Sequence, residues 1–413
     1  MQTAGRDHLG PVAAAGLLVV VAGVWGSQLD RHTLQLDAPP FVGQWDLRLG
    51  SAVAIPLLVG TLAWWSAPWV QRRRWPALLG MSWLTAAAWA LALALVDGPG
   101  GLTRPLLLRD DYLHDVPRVH SDFLSSFTAH IEHDGGGVER WTTHVGGHPP
   151  GLLLLLKALD VLGLGGAGPA AALFVAVGTS AVVAVLLTVR RLAGEPAARS
   201  CAAFVALAPA AIWVAVSADA FFMGVTAWGI ALLALKRPVA AGTVLGLSLF
   251  LTYGAVPLSL LALAVAGSWR AVAKAAIAAA TVAAAFALAG FWWVDGLVHT
   301  LARVHAGAGG YRPWGYFLLA DVAVLAVAVG PATVAGLRSL TRADPLWWLV
   351  APVLLALLLA DVSGTSRGEV ERVWLPYVPW LLVAAARLRQ PRRWLAAQLT
   401  TGLALQVLLR SKW

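Results

Sequence analysis

The chain has 413 residues, 59% of them apolar and only 12% charged, and its mean hydropathy of +0.73 leaves too little polar surface to coat a soluble globule. A formal charge of +9 would suit a nucleic acid, but the basic residues sit in short clusters between apolar runs and not along one face, so no nucleic-acid partner is expected. The lone cysteine, Cys201, lies inside an apolar run, which excludes an intrachain disulfide and a cysteine-rich metal site and reads as a small buried hydrophobe.

The N-terminal stretch places Arg6 ahead of an apolar run, as a signal peptide does. No small-x-small cleavage site follows cleanly, so a retained first helix is expected. Taking that run as 11 to 27, further apolar runs follow at 50 to 66, 77 to 96, 169 to 190, 199 to 216, 219 to 235, 239 to 252, 255 to 267, 271 to 292, 315 to 337, 346 to 361, 374 to 388 and 394 to 409. Crossing the hydrocarbon takes about twenty apolar residues as helix, whereas barrel strands would alternate in polarity. The pattern therefore predicts an all-α polytopic membrane protein of about 13 transmembrane helices, with residues 1 to 413 forming one transmembrane domain and no separate soluble one.

Short loops that carry Lys and Arg stay in the cytoplasm. Six basic clusters, at Arg72 to Arg74, Arg190 to Arg199, Lys236 and Arg237, Arg270 and Lys274, Arg338 and Arg342, and Arg387 to Arg393, all fall on one side of these runs. That places the N-terminus inside and the C-terminus outside, in a cell membrane. The stretch 150 to 164 is short, contains Lys157 and Asp160, and would invert everything downstream if it crossed. It is expected to lie in the interface as a juxtamembrane helix. The stretch 239 to 267 must cross twice, with its break at Thr252 to Gly254.

The outer side then carries a long segment, 97 to 168, made of the loop 97 to 149 and the juxtamembrane helix, together with shorter loops at 28 to 49, 293 to 314 and 362 to 373. A loop of this length inside a compact domain is usually functional or disordered, and its His, Asp and aromatic content favours function. Nine of the ten histidines lie on this outer side. No internal repeat and no Gly-rich phosphate loop appears on the cytoplasmic side, which argues against direct use of ATP or a cytosolic nucleotide sugar.

Within the long loop, RDDYLHDV at 109 to 116 brings together Asp110, Asp111, His114 and Asp115. Carboxylates at a membrane surface suit a general base or a metal ligand, or else an acidic turn that caps a helix. Adjacent aspartates point in different directions, so at most one is the base; on a helix Asp110 and His114 would share a face. HVGGHPPG at 144 to 151 sets His144 and His148 just before the juxtamembrane helix, where a histidine can bind a lipid phosphate. The intervening Gly-Gly argues against helical spacing of the two, and no third metal ligand is obvious. Asp219, where two spans meet, is either a site residue or the N-cap of the sixth span. Arg367, Glu369, Glu371 and Arg372 crowd the last outer loop, as phosphate-binding arginines or as a self-neutralising cluster. The loop 293 to 314 adds Tyr311 and Arg312, with His299 and Arg303 one turn apart on a short surface helix.

A long first loop with an acidic pair near its start, ending in His-Pro-Pro at a juxtamembrane helix, resembles the GT-C superfamily of membrane glycosyltransferases, and within it the protein O-mannosyltransferases and the aminoarabinose transferases. The resemblance covers about 105 to 235 best, Asp219 included. It implies that Asp110 or Asp111 is the catalytic base, that His148 stands in the His-Pro-Pro position, and that Arg367 and Arg372 hold the donor phosphate. His114, Asp115, His144, Asp219, Tyr311, Arg312 and Glu369 are expected around the substrate. The chain departs from the family in having Asp-Asp for Asp-Glu, three spans before the loop, and Gly151 where leucine is common.

The resemblance implies an inverting transfer of a hexosyl or pentosyl group from a polyprenyl-phosphate-linked donor to an envelope glycan, lipid or protein acceptor on the extracytoplasmic face. The residues demand no cofactor, and participation of a divalent metal stays open. The competing classes are a transporter or flippase of an envelope lipid, which would show paired broken helices and midplane charge, and a non-catalytic assembly subunit.

Overall fold

Apolar runs long enough to bridge hydrocarbon fold here as helices. A computed structural model describes residues 8–132, 139–215 and 217–411; Arg6 and residues 133–138 of the long loop lie outside the described residues. Among the described residues, six helices are long and apolar enough to cross a membrane: Leu9–Gln28, Ser51–Gln71, Trp75–Asp97, Ala167–Ala193, Trp269–Leu288 and Trp314–Leu337. Twenty residues at 1.5 Å each reach about 30 Å, the thickness of the hydrocarbon. Their apolar side chains face outward as well as inward. Trp269–Leu288 has no buried residue at all, and its Ile277 and Leu288 are 68% and 90% exposed. Water would not tolerate such a surface, so the chain is an all-α, multi-pass membrane protein.

Five further apolar helices are shorter: Ala218–Ala234, Pro238–Leu249, Tyr253–Ala266, Trp347–Val362 and Val378–Arg387. Prolines explain two of the truncations. The run expected at 199 to 216 is a helix over Glu195–Ala206 that stops before Pro209 and resumes as a 3-10 turn over Pro209–Trp213. The run at 374 to 388 begins only after Pro376 and finishes as a 3-10 turn over Val383–Arg387. Two three-residue strands, Gly43–Trp45 and Leu409–Ser411, pair antiparallel, so the expected last helix gives way to strand after Leu408. The same corner is closed by Arg48, which bonds the Asp97 carboxylate and the carbonyls of Gln406 and Leu409. The loop 28 to 49, the start of the long loop and the chain's end therefore share one face. On another face Arg199 donates to the carbonyls of Gln71 and Arg73, at 2.6 and 2.8 Å, uniting two of the basic clusters.

Three features position the site. The helix Ala167–Ala193 crosses Ala218–Ala234 so closely that a Cβ on Gly224 would lie 2.1 Å from the Val177 carbonyl oxygen, and this crossing holds Asp219 in the first turn of the second helix. The stretch 150 to 164 forms an 11-residue helix, Gly151–Val161, about 16 Å long and so half of what a crossing requires. Its first residue packs on the break of the 239 to 267 stretch: the Gly151 amide donates to the Phe250 carbonyl at 2.8 Å, and a Cβ there would lie 2.3 Å from that oxygen. The surface helix Trp293–Ala306 then clamps the loop from above, where Arg303 bonds the carbonyls of Ile131 and Trp141, both at 3.0 Å, and Thr300 bonds that of Gly146 at 3.2 Å.

Candidate active site

The acidic segment is not helical. A 3-10 turn over Tyr112–His114 follows Asp111, whose Oδ1 accepts from the Tyr112 amide at 2.7 Å, so Asp110 and His114 do not share a helical face. The turn sends the adjacent aspartates apart. Asp111 is buried and its Oδ2 lies 3.1 Å from His144 Nδ1. Asp110 is exposed, its carboxylate 3.4 Å from the Thr143 hydroxyl and its carbonyl accepting from the His144 amide. Asp111 thus faces inward and Asp110 outward.

The HVGGHPPG segment winds into one helical turn over Thr143–Gly146 that ends at its glycines, before His148. His148 Nδ1–H donates to the His144 carbonyl at 2.8 Å, and Tyr112 lies tilted against both rings, its centroid 6.2 Å from that of His144 and 6.0 Å from that of His148. Burial holds the His148 imidazole below its ordinary pKa, against the pull of Asp219. Neutral, with Nδ1 committed as a donor, it presents Nε2 as an acceptor.

From the far side of the chain comes Arg372, on the short helix Val370–Val373. Its Nη1 donates to Asp219 Oδ2 at 2.9 Å across 153 residues of sequence, and its Nη2 to Glu369 Oε2 at 2.6 Å. Burial disfavours the guanidinium charge, but Asp219 and Glu369 outweigh it and hold the group firmly protonated. Burial likewise opposes ionisation of Glu369, yet Arg372 and Arg312 keep its carboxyl below the ordinary range. The N-cap of the helix that carries Asp219 is Ser217, so the aspartate serves the ion pair and not the helix end. Glu369 itself sits in the left-handed region at φ 61°, a backbone strain the surrounding contacts hold in place.

One narrow cleft is walled by Pro105, Leu108, Asp111, Tyr112, His144, His148, Ser217, Ala218, Asp219 and Arg372. Of the acidic pair and the late arginines, Asp111 and Arg372 line the cleft, together with His144, His148 and Asp219, whereas Asp110 and Arg367 do not. Arg367 donates to the Arg312 carbonyl, and Arg312 to the carbonyls of Arg367 and Leu34, which ties the loop 362 to 373 to the loop 28 to 49. Asp115 is fully buried and bonds Arg118 and the Thr142 amide, both at 2.8 Å, as a brace inside the long loop. His114 is exposed, as is Tyr311 at 66%, and neither lines the cleft. Among the described residues no three His, Cys, Asp or Glu side chains form a metal site.

Sequence reasoning passed over Tyr112, which stands beside the acidic pair and is almost wholly buried in the cleft wall. It also passed over Asp321 and Asp361, buried acids on the helices Trp314–Leu337 and Trp347–Val362, although a carboxylate inside an apolar run is itself a signal. No family model matches the chain, and neither a curated protein nor a solved structure matches it.

Proposed function

We propose that the protein is a glycosyltransferase that moves a sugar from a polyprenyl-phosphate-linked donor to an envelope acceptor on the extracytoplasmic face of a cell membrane. One observation carries this reading: Asp111, His148 and the Asp219–Arg372 pair, drawn from three distant segments, converge on one cleft beside the helix Gly151–Val161 of a lipid-embedded bundle. In this reading Asp111, oriented by His144, takes the proton of an acceptor hydroxyl as its oxygen bonds to the anomeric carbon. The bond from that carbon to the phosphate oxygen breaks, the lipid phosphate leaves with the electron pair, and a single displacement inverts the centre. Arg372 is shared between two carboxylates, so its role is to hold Asp219 and Glu369 in place. A divalent metal remains compatible with this role for the acids and is assigned no step.

The finer topology belongs to the same proposal: about 13 crossings, a cytoplasmic N-terminus, and the cleft outside. It is supported by the six basic clusters of the sequence and by the shared face of the first loop, the long loop and the chain's end. Cysteine at the exposed positions His114 and Tyr311 should react with an impermeant thiol reagent added outside intact cells, and cysteine at Arg342 only after the membrane is opened. The reverse pattern would overturn the orientation. For the activity, purified protein with radiolabelled polyprenyl-phospho-sugars and envelope extracts should show transfer that Asp111→Asn abolishes. No transfer from any donor in the panel would sink the enzyme reading.

Transport is the reading that a separate observation favours. Asp321 and Asp361 are buried on membrane helices, and Trp314–Leu337 is broken at Gly330, where φ is 76° and ψ 170°, ahead of Pro331. Broken helices and intramembrane acids mark carrier sites. Asp321→Asn separates the two: it would abolish movement of a lipid headgroup across the bilayer in a carrier and leave sugar transfer intact in an enzyme.

A further inference from the structure

The cleft has a polarity that its resemblance to a phosphate-binding site would not suggest. Arg372 is the cation on its wall, and it is held by Asp219 at 2.9 Å and by Glu369 at 2.6 Å. Asp111 adds a further carboxylate to the lining. With Arg312 3.9 Å from Glu369, three carboxylates face two guanidiniums, so an incoming phosphate meets no surplus of positive charge and a wall guanidinium already engaged by two anions.

The remaining polar groups suit a neutral ligand. The Tyr112 hydroxyl is buried and has no hydrogen-bond partner among the described residues, although its side chain forms part of the cleft wall. A buried hydroxyl without a partner is costly, so at a cleft wall it calls for a partner from outside the protein, a water or a ligand group. Burial, reinforced by the charges of Asp219 and Asp111, raises the phenol well above its ordinary pKa, so it acts as a donor throughout the physiological range. His148 Nε2 and the Asp219 carboxylate are acceptors nearby. The Tyr112 and His148 rings, 6.0 Å apart and inclined at 51°, offer an angled apolar face beside them.

We propose that Tyr112, His148 and Asp219 form a subsite for the hydroxyl-bearing face of an uncharged sugar ring, with the phosphate of any lipid-linked donor held outside the cleft. One donor set against two acceptors matches a pair of neighbouring sugar hydroxyls, each of which both gives and takes a hydrogen bond. The angled rings pack against the ring's C–H face. This deepens the glycosyl-transfer reading and rests on the same cleft, but it concerns binding and does not require turnover.

The test uses a reporter cysteine at Leu108, a cleft residue that is 48% exposed, in the full-length protein, whose native Cys201 is fully buried. Labelling of Leu108→Cys by a maleimide is followed with methyl glycosides of neutral hexoses and pentoses, with inorganic phosphate and with a short polyprenyl phosphate. At least one neutral glycoside should slow labelling at concentrations where phosphate and polyprenyl phosphate do not. Tyr112→Phe should weaken that protection roughly tenfold, the loss expected for one hydrogen bond to a buried donor. His148→Asn, which keeps a donor for the His144 carbonyl and lacks the distal acceptor, should do the same, so the result does not hinge on one variant folding. Protection by phosphate as strong as by any glycoside, or protection that both variants leave unchanged, overturns the proposal, as does no protection by any glycoside. Transfer activity reports separately: glycoside protection without transfer sinks only the enzyme, and transfer without glycoside protection sinks only this subsite.

Discussion

Replacing Arg372 by Met should destabilise the protein more than any other single change in the cleft. The side chains of Arg372 and Asp219 are 8% and 4% exposed, so the substitution strands one carboxylate in a nearly dry site and a second, Glu369 at 32%, in a half-wet one. Removing one partner of a buried pair costs about 3–5 kcal/mol, because the other charge has lost both water and partner. Asp219→Asn leaves Arg372 its contact with Glu369 and should cost less, about 2 kcal/mol. With both changes made, no charge is stranded in the dry half of the site, and the double variant should recover about 2 kcal/mol relative to the sum of the singles. Equilibrium unfolding in mixed dodecyl sulfate and maltoside micelles, followed by circular dichroism, measures all three. Singles that add to within about 0.5 kcal/mol of the double would refute the idea that this pair joins the two halves of the site.

Three other outcomes are expected. Asp111→Asn should lower sugar transfer at least a hundredfold, since general-base catalysis contributes about 10² to 10⁴, while Asp110→Asn should stay within a few fold; equal effects would mean that the inward turn of Asp111 does not select the base. Burial pushes the Glu371 carboxyl up from an ordinary 4.5 to about 7, so the folded state binds its proton more tightly than the unfolded chain. The resulting stability, about 3 kcal/mol, is complete below pH 4.5 and lost as pH rises through about 7, and Glu371→Gln should flatten that part of the pH–stability curve; an unchanged slope would rule the group out. Gly151→Leu should cost about 1–3 kcal/mol and disorder His148, because its Cβ would meet the Phe250 carbonyl at 2.3 Å; a melting temperature equal to the parent's would show that the contact yields freely.

Much of the fold was legible because lipid imposes a one-dimensional rule: a helix that crosses hydrocarbon must be apolar along its length, whatever its neighbours are. The long runs at 11 to 27, 77 to 96, 169 to 190 and 315 to 337 therefore reappear as helices within a few residues of their expected ends, and the short stretch at 150 to 164 as a helix too short to cross. The runs at 199 to 216 and 374 to 388 broke where Pro209 and Pro376 remove amide donors, a local effect that hydropathy averages away. For the site, residue type and position by themselves marked Asp111, His144, His148, Asp219 and Arg372 as a set worth bringing together, since polar groups at a membrane surface are few and expensive. Tertiary structure alone decided which of them meet. Asp110 and Asp111 are chemically identical neighbours, and only the turn at Tyr112 sends one to solvent and the other to His144. Arg367 and Arg372 are equally apt for an anion, yet Arg367 is taken by a backbone carbonyl and Arg372 by two carboxylates, because hydrogen-bond partners are assigned by distance in space and leave no trace in spacing along the chain.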